Sequence, residues 1–187
     1  ECRRLWANQG NEYSYVQLIE MALNTKPHQS VFNPLDPRFI APDNMPKLIS
    51  EICNETNQLI PRTPGEIIRC ALESLALLYA KTLREAEDLV GWKAEKLHIV
   101  GGGSKNVLLN QLTADAANID VVAGPAEATA SGNVLVQAIA DGVVRDLDEA
   151  RQIIHCSFDT ETFNPKASQE LENMTNRFNQ IHTSTSL

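Results

Sequence analysis

The run LHIVGGGSKNVLLNQLTADA, residues 97–116, sets three consecutive glycines between a short apolar stretch and an amphipathic one. Residues 96–100 predict a strand. Val107, Leu108, Leu112 and Ala116 then recur at helical spacing behind Ser104 or Asn106 as the cap. A second short strand over 120–123, closed by Gly124 and Pro125, and a helix over 126–140 repeat the unit. Strand, helix, strand, helix predicts an α/β layer with a parallel sheet, and such a sheet is stable only as a multi-strand array covered on both faces. Two strands are too few. The others lie in the segment before Pro64 or in sequence outside this chain.

The strongest helix signal precedes that unit. Thr63, Pro64 and Glu66 form a capping box with proline at the first helical position, and Gly91 supplies the stop. Between them Ile68, Leu72, Leu75, Tyr79, Leu83 and Ala86 predict a buried stripe on a central packing helix. Residues 6–23 carry a weaker helical pattern, and one short helix over 45–58 interrupts a proline-rich connection over 27–64. Seven prolines in that connection fix φ and remove donors, which predicts ordered turns rather than a flexible linker. The helix over 126–140 is rich in small residues, with Gly132 suited to close packing and Glu127 to the helix N-terminal dipole. Asp146 and Glu149 start a further helix. The tail over 166–187 is polar, helical at best, and frayed over its final TSTSL.

With 187 residues and 43% apolar composition, the chain has the size of one globular domain. A net charge of -8 argues against nucleic acid or an anionic membrane as partner, because both require a basic face. No apolar run is long enough to span a bilayer. The opening residues, Glu1, Cys2, Arg3 and Arg4, hold no initiator Met and no signal-peptide pattern, so the expectation is a cytoplasmic piece of something longer. The four cysteines, Cys2, Cys53, Cys70 and Cys156, contain no CxxC pair and read as ordinary thiols, although Cys53 and Cys70 can approach each other.

A strand that ends in Gly101, Gly102, Gly103 and Ser104 and enters a helix near Asn106 places bare backbone at a helix N-terminus. Phosphate or a flat base can approach such a backbone without meeting a Cβ. The Walker loop is excluded, since Lys105 is followed by Asn106 and the spacing is too short. A dinucleotide fingerprint fails as well: Asn106 stands where glycine is needed, and Asp120 opens the next strand instead of closing it. From spacing alone, a nucleotide site and a tight structural turn both stand.

Residues 97–142 resemble the adenosine-binding segment of the FGGY carbohydrate kinases, a branch of the actin, sugar kinase and heat-shock-70 fold. ECRRLW, FNPLDPRFIAPDNM, LESLALLYAKTL, AGPAEA and FDTETFNP narrow the resemblance to the branch that acts on L-rhamnulose, and it extends from residue 1 to about 166. It implies a helix-rich α/β fold, the partial C-terminal lobe of the actin-like ATPase and sugar kinase (ribonuclease H-like) architecture, with 1–187 as its nucleotide-binding part. It also implies transfer of phosphate from ATP to the 1-hydroxyl of L-rhamnulose, with Mg2+ neutralising the phosphates. Gly102 falls on the family's ATP-contacting glycine, and Gly101, Gly103, Ser104 and Asn106 complete the loop. Asn106 would hydrogen-bond base or ribose, a role compatible with capping the helix. The family places its catalytic Asp and sugar site in an N-terminal lobe, so no catalytic residue and no metal ligand are assigned here. His98 reads as a core or half-exposed strand residue, and Asp115 and Asp120 as solvated charges. The alternatives are a kinase of another ketose, such as fuculose or xylulose, and a non-catalytic regulatory or assembly module.

Overall fold

A computed structural model describes residues 1–184, with side chains through His182. The chain runs through α1 (Cys2–Asn8), α2 (Tyr15–Leu23), α3 (Met45–Glu55), α4 (Pro64–Val90), β1 (Lys96–Ile99) and α5 (Val107–Ala117). It continues through β2 (Asp120–Ala123), α6 (Ala128–Ala140), α7 (Leu147–Ser157), β3 (Glu161–Phe163) and α8 (Gln169–Ser184). The fold is α/β and helix-rich. Its sheet has the order β1-β2-β3: β1 runs parallel to β2 with Leu97 opposite Val121, and β3 runs antiparallel to β2 with Phe163 opposite Val121.

Helix α4 is the element on which the rest is built. The Thr63 hydroxyl accepts from the Glu66 N–H while the Glu66 carboxylate accepts from the N–H groups of Arg62 and Thr63, so three orphan donors are satisfied at its start. Gly91 closes the helix at φ 76°. Its 27 residues meet α2 on one side and α5 on the other. At the α2 contact Gly65 has no room for a side chain, since a Cβ there would lie 2.6 Å from the Met21 carbonyl oxygen.

Two apolar clusters share α4. One joins Leu72, Ala76, Leu77 and Ala80 to Leu108, Leu112 and Ala116 of α5 and to Met174 and Phe178 of α8. The other joins Ile67 and Cys70 to Trp6, Leu18, Phe32, Ile49, Ile52 and Cys53. A smaller cluster of Ala114, Val121, Ala123 and Phe163 lies between α5 and the sheet. Each fully buried large side chain contributes about 1.5–3 kcal/mol.

Several expectations are corrected. Residues 6–23 form two helices, because Gly10 turns the chain at φ 87° and Ser14 begins α2 with its own capping box to Gln17. The buried face of α4 is broader and rotated: Ile67, Cys70, Leu77 and Ala80 are inside, while Tyr79 is 40% exposed and Ala86 lies outside. The segment before Pro64 contains no strand among the described residues, whereas β3, too short to show a period, was missed. The polar tail is helix α8, which sinks Met174 and Phe178 into the core at i and i+4. Of the terminal TSTSL, Thr183 and Ser184 close α8, and 185–187 lie outside the described residues.

The proline-rich connection is ordered, as its composition predicts. Val31 and Gln58 exchange two hydrogen bonds, and the Ser74 hydroxyl accepts from the Phe32 N–H at 3.0 Å. Glu73, 3% exposed, accepts from Arg69 Nε at 2.5 Å and from the His28 N–H at 3.2 Å. Cys53 and Cys70 approach to 3.9 Å between sulfurs as buried free thiols. Among the described residues no helix is long and apolar enough to cross a membrane.

Candidate functional site

Strand β1 stops at Ile99, and Gly101 leaves it at φ 76°, ψ -164°, a conformation open essentially to glycine alone. Gly102–Lys105 then wind one 3-10 turn, tied by the Ser104 N–H to the Gly101 carbonyl and by the Asn106 N–H to the Gly103 carbonyl, each at 3.1 Å. The Ser104 hydroxyl donates to the same Gly101 carbonyl at 2.7 Å. Asn106 caps α5, its Oδ1 accepting from the Leu109 N–H at 3.1 Å. The five predicted residues, Gly101, Gly102, Gly103, Ser104 and Asn106, therefore form one continuous turn at the C-terminal end of a parallel strand.

That turn presents donors outward. The N–H groups of Gly102 and Gly103 begin the 3-10 turn, so they have no partner within it, and no other described residue accepts from them. A Cβ at either glycine would meet nothing within 4 Å. Lys105, exposed beside them, forms no ion pair among the described residues. Free amides, open space and an unpaired cation together favour an anion.

Asn106 also reaches the rim of a cavity of about 410 Å³, whose wall is mostly apolar and includes Phe32, Ile49, Ile68 and Leu72. The volume suits a small organic ligand. Arg3 lies on the same wall, with its Nε donating to the Tyr13 carbonyl at 2.7 Å and its guanidinium 4.8 Å from the centre of the Tyr15 ring. Cys2 beside it is pushed up to about 11 by burial and stays a protonated thiol. Sequence reasoning missed Arg3 and the cavity wall, since their juxtaposition with Asn106 is made only by packing across α4. It also missed Asn110, whose Nδ2 donates to the Ser104 carbonyl at 2.8 Å. There a signal existed: an amide among Leu108, Leu109 and Leu112.

Other assignments change. His98 is exposed on β1 and faces a second groove with Gly132 and the apolar sides of α6 and α7. Gly132 is not a close-packing glycine, because a Cβ there meets nothing within 4 Å. Glu127 stands at the N-cap of α6 without a side-chain cap bond. Asp115 and Asp120 are structural ties: Asp115 accepts from the Lys166 N–H and Gln111, and Asp120 from Asn164, all at 2.8 Å. The loop itself, Gly101–Asn106, carries no carboxylate to build a magnesium cage, and no group of three or more His, Cys, Asp or Glu suited to a metal occurs among the described residues.

Residues 1–140 match the FGGY family of carbohydrate kinases, C-terminal domain. The chain is 47% identical over 155 residues to rhamnulokinase of Bacillus subtilis, covering 83% of this chain and 32% of that protein. It is 44% identical over 165 residues to rhamnulokinase of Bacteroides thetaiotaomicron, covering 88% of this chain and 33% of that protein. The chain thus spans about a third of the length of the curated relatives it matches. Among solved structures, xylulose kinase from Rhodospirillum rubrum superposes with a TM-score of 0.66 at 17% identity, over 98% of this chain and 36% of that one. Together with the family match, that likeness carries the fold: α/β and helix-rich, resembling the actin-like ATPase and sugar kinase superfamily.

Proposed function

Because the chain belongs to the FGGY family of carbohydrate kinases, we propose that it is the nucleotide-binding part of a kinase that phosphorylates L-rhamnulose at its 1-hydroxyl with ATP. The observation that carries the choice of sugar is the 47% identity to a rhamnulokinase, against 17% to the xylulose kinase that shares the fold. On this reading residues 1–187 belong to one lobe, with α8 docked on its core, and the sugar site and catalytic base come from another part of the protein.

Gly101 sets the direction of the loop, and Gly102 and Gly103 offer their N–H groups to the phosphates or ribose. Ser104 holds the turn closed, Asn106 bonds base or ribose at the cavity rim, and the apolar wall takes the face of the base. Phosphoryl transfer needs little covalent chemistry from a protein; it needs two substrates held in line and the charge on the moving group neutralised. Mg2+ would arrive on the phosphates and supply that charge. The work of this chain is to hold the base against the apolar wall with the phosphate end of the nucleotide at the glycine turn.

The test is ADP release by the protein encoded by the complete reading frame that carries this chain, given MgATP with L-rhamnulose, L-fuculose, D-xylulose or glycerol. Turnover that prefers L-rhamnulose is the expected result. Preference for another acceptor would keep the nucleotide site and move the substrate. No turnover with any of them would favour a regulatory or assembly role.

A further inference from the structure

Asn110 sits wholly inside the protein, 0% exposed, one turn into α5. Its neighbours in the helix show what a packing residue looks like here: Leu108 and Leu112, both buried in the α4–α5 interface. An amide in that setting must satisfy two donors and an acceptor, and this one does not. Nδ2 donates to the Ser104 carbonyl at 2.8 Å, while Oδ1 is buried with no partner among the described residues. Turning the amide over offers no relief, because it would set Oδ1 against the Ser104 carbonyl oxygen. An unpaired buried acceptor is a standing cost to stability, one that a leucine of similar size would avoid.

What the amide does in return is local. Ser104 is the third residue of the 3-10 turn, and its carbonyl, on the side of α5, is held there by Asn110. The Ser104 N–H and hydroxyl are already given to the Gly101 carbonyl. The residue is thereby gripped from both ends, and the peptide units of Gly102 and Gly103 between those grips have a fixed direction. Their unpartnered N–H groups therefore stand ready before any ligand arrives.

We propose that Asn110 is a positioning residue for nucleotide binding, keeping the glycine turn in its binding-competent form through the Ser104 carbonyl at the expense of its own unsatisfied Oδ1. The inference rests on the reading of the glycine turn as the nucleotide site. A loop that is organised only part of the time binds more weakly in proportion to the organised fraction. Losing one hydrogen bond of ordinary strength should lower that fraction enough to raise the Kd for MgADP about three- to tenfold.

The experiment measures MgADP affinity by calorimetry and thermal unfolding of the protein with the substitution Asn110→Leu, beside Gly102→Ala. The expected result is a Kd raised about three- to tenfold, with the Tm unchanged or higher because the orphan acceptor is gone. A merely structural amide would give the reverse pattern, a lower Tm with an unchanged Kd, and that would overturn the proposal. If N110L does not fold, N110S, which is smaller and too short to reach the Ser104 carbonyl, must still weaken MgADP binding. If G102A weakens binding while N110L or N110S leaves it intact, only the role of Asn110 fails. If none of them alters it, the glycine turn is not the nucleotide site.

Discussion

Replacing Gly102 separates a glycine required by the fold from one required by a ligand. A Cβ at Gly102 meets no atom within 4 Å, and its φ is outside the left-handed region. The folded chain therefore accepts alanine there, and reduced freedom in the unfolded state should stabilise the protein by about 0.4–1 kcal/mol. For a chain of this size that raises the Tm by about 1–4 °C. A bound phosphate or ribose in contact with the same Cα meets the new methyl group directly. Overpacking a fitted contact costs about 1–3 kcal/mol, which corresponds to a loss of affinity of roughly 5- to 150-fold. Gly102→Val should go further, to loss of measurable binding. Gly101 is the counter-case: at φ 76°, ψ -164° an alanine is strained by about 1–3 kcal/mol, so Gly101→Ala should lower the Tm in the absence of any ligand. Calorimetric titration with MgADP, paired with thermal unfolding, reads both effects. An unchanged Kd in Gly102→Ala with a raised Tm would refute the reasoning, since the open space above the turn would then be solvent and nothing more.

Arg69→Met should destabilise the fold by about 3–5 kcal/mol, because Glu73, 3% exposed, would be left buried without the guanidinium that pairs with it; a denaturant midpoint within error of the parent would contradict this. Acid unfolding should begin only below about pH 4. The carboxyl of Asp36 is held low by its hydrogen bonds to Arg38, and that of Glu66 by the N–H groups of Thr63 and Arg62. With folded values depressed, their contribution is present above the ordinary carboxylate range and disappears as the pH falls through the folded values. A Tm that declines between pH 7 and 5 would show that other groups govern stability. Under native conditions a thiol reagent should modify exposed Cys156 first and leave Cys53 and Cys70 untouched, with all four reactive after unfolding. Rapid modification of four thiols in the folded protein would rule out the α3–α4 packing described above.

The features legible in the sequence are those whose cause is local. The ends of α4 were readable because a capping box, a proline and a glycine act within one turn, and the strand, turn and helix around Gly101–Asn106 were readable for the same reason. Rotation of the buried face of α4 was not. Helices α2, α3, α5 and α8 cover it on several sides, so Ile67, Cys70 and Leu77 are buried along with Leu72, while Tyr79, in register with the expected stripe, lies at an uncovered edge. Strand β3 escaped because three residues show no period, and it is held by pairing with β2 and by Phe163 reaching Val121. Within the site the turn was legible and the cavity was not, since Arg3, Phe32, Ile49 and Leu72 come from four separate stretches of chain.

In the proposed site the glycine turn and the cavity act together, and α4 sets their spacing. The cavity wall is built on α4 through Ile68, Ala71 and Leu72, with α2 and α3 packed against the same helix. The turn is carried by α5, whose Leu108 and Leu112 seat in the cluster that also holds Leu72 and Ala76. Leu72 thus belongs both to the cavity wall and to the core cluster that seats α5. On its far side the turn is fastened to the sheet, where the Gly101 N–H donates to the Pro125 carbonyl at 3.0 Å and the Gly124 N–H to the Ile99 carbonyl at 2.8 Å. These ties lock the loop after β1 to the loop after β2. Anchored by α5 on one side and by the β2–α6 turn on the other, the glycines have little freedom to follow a ligand. On the proposed reading, selectivity for a nucleotide comes from the spacing between the turn's free N–H groups and the apolar wall, which close packing along α4 and α5 holds.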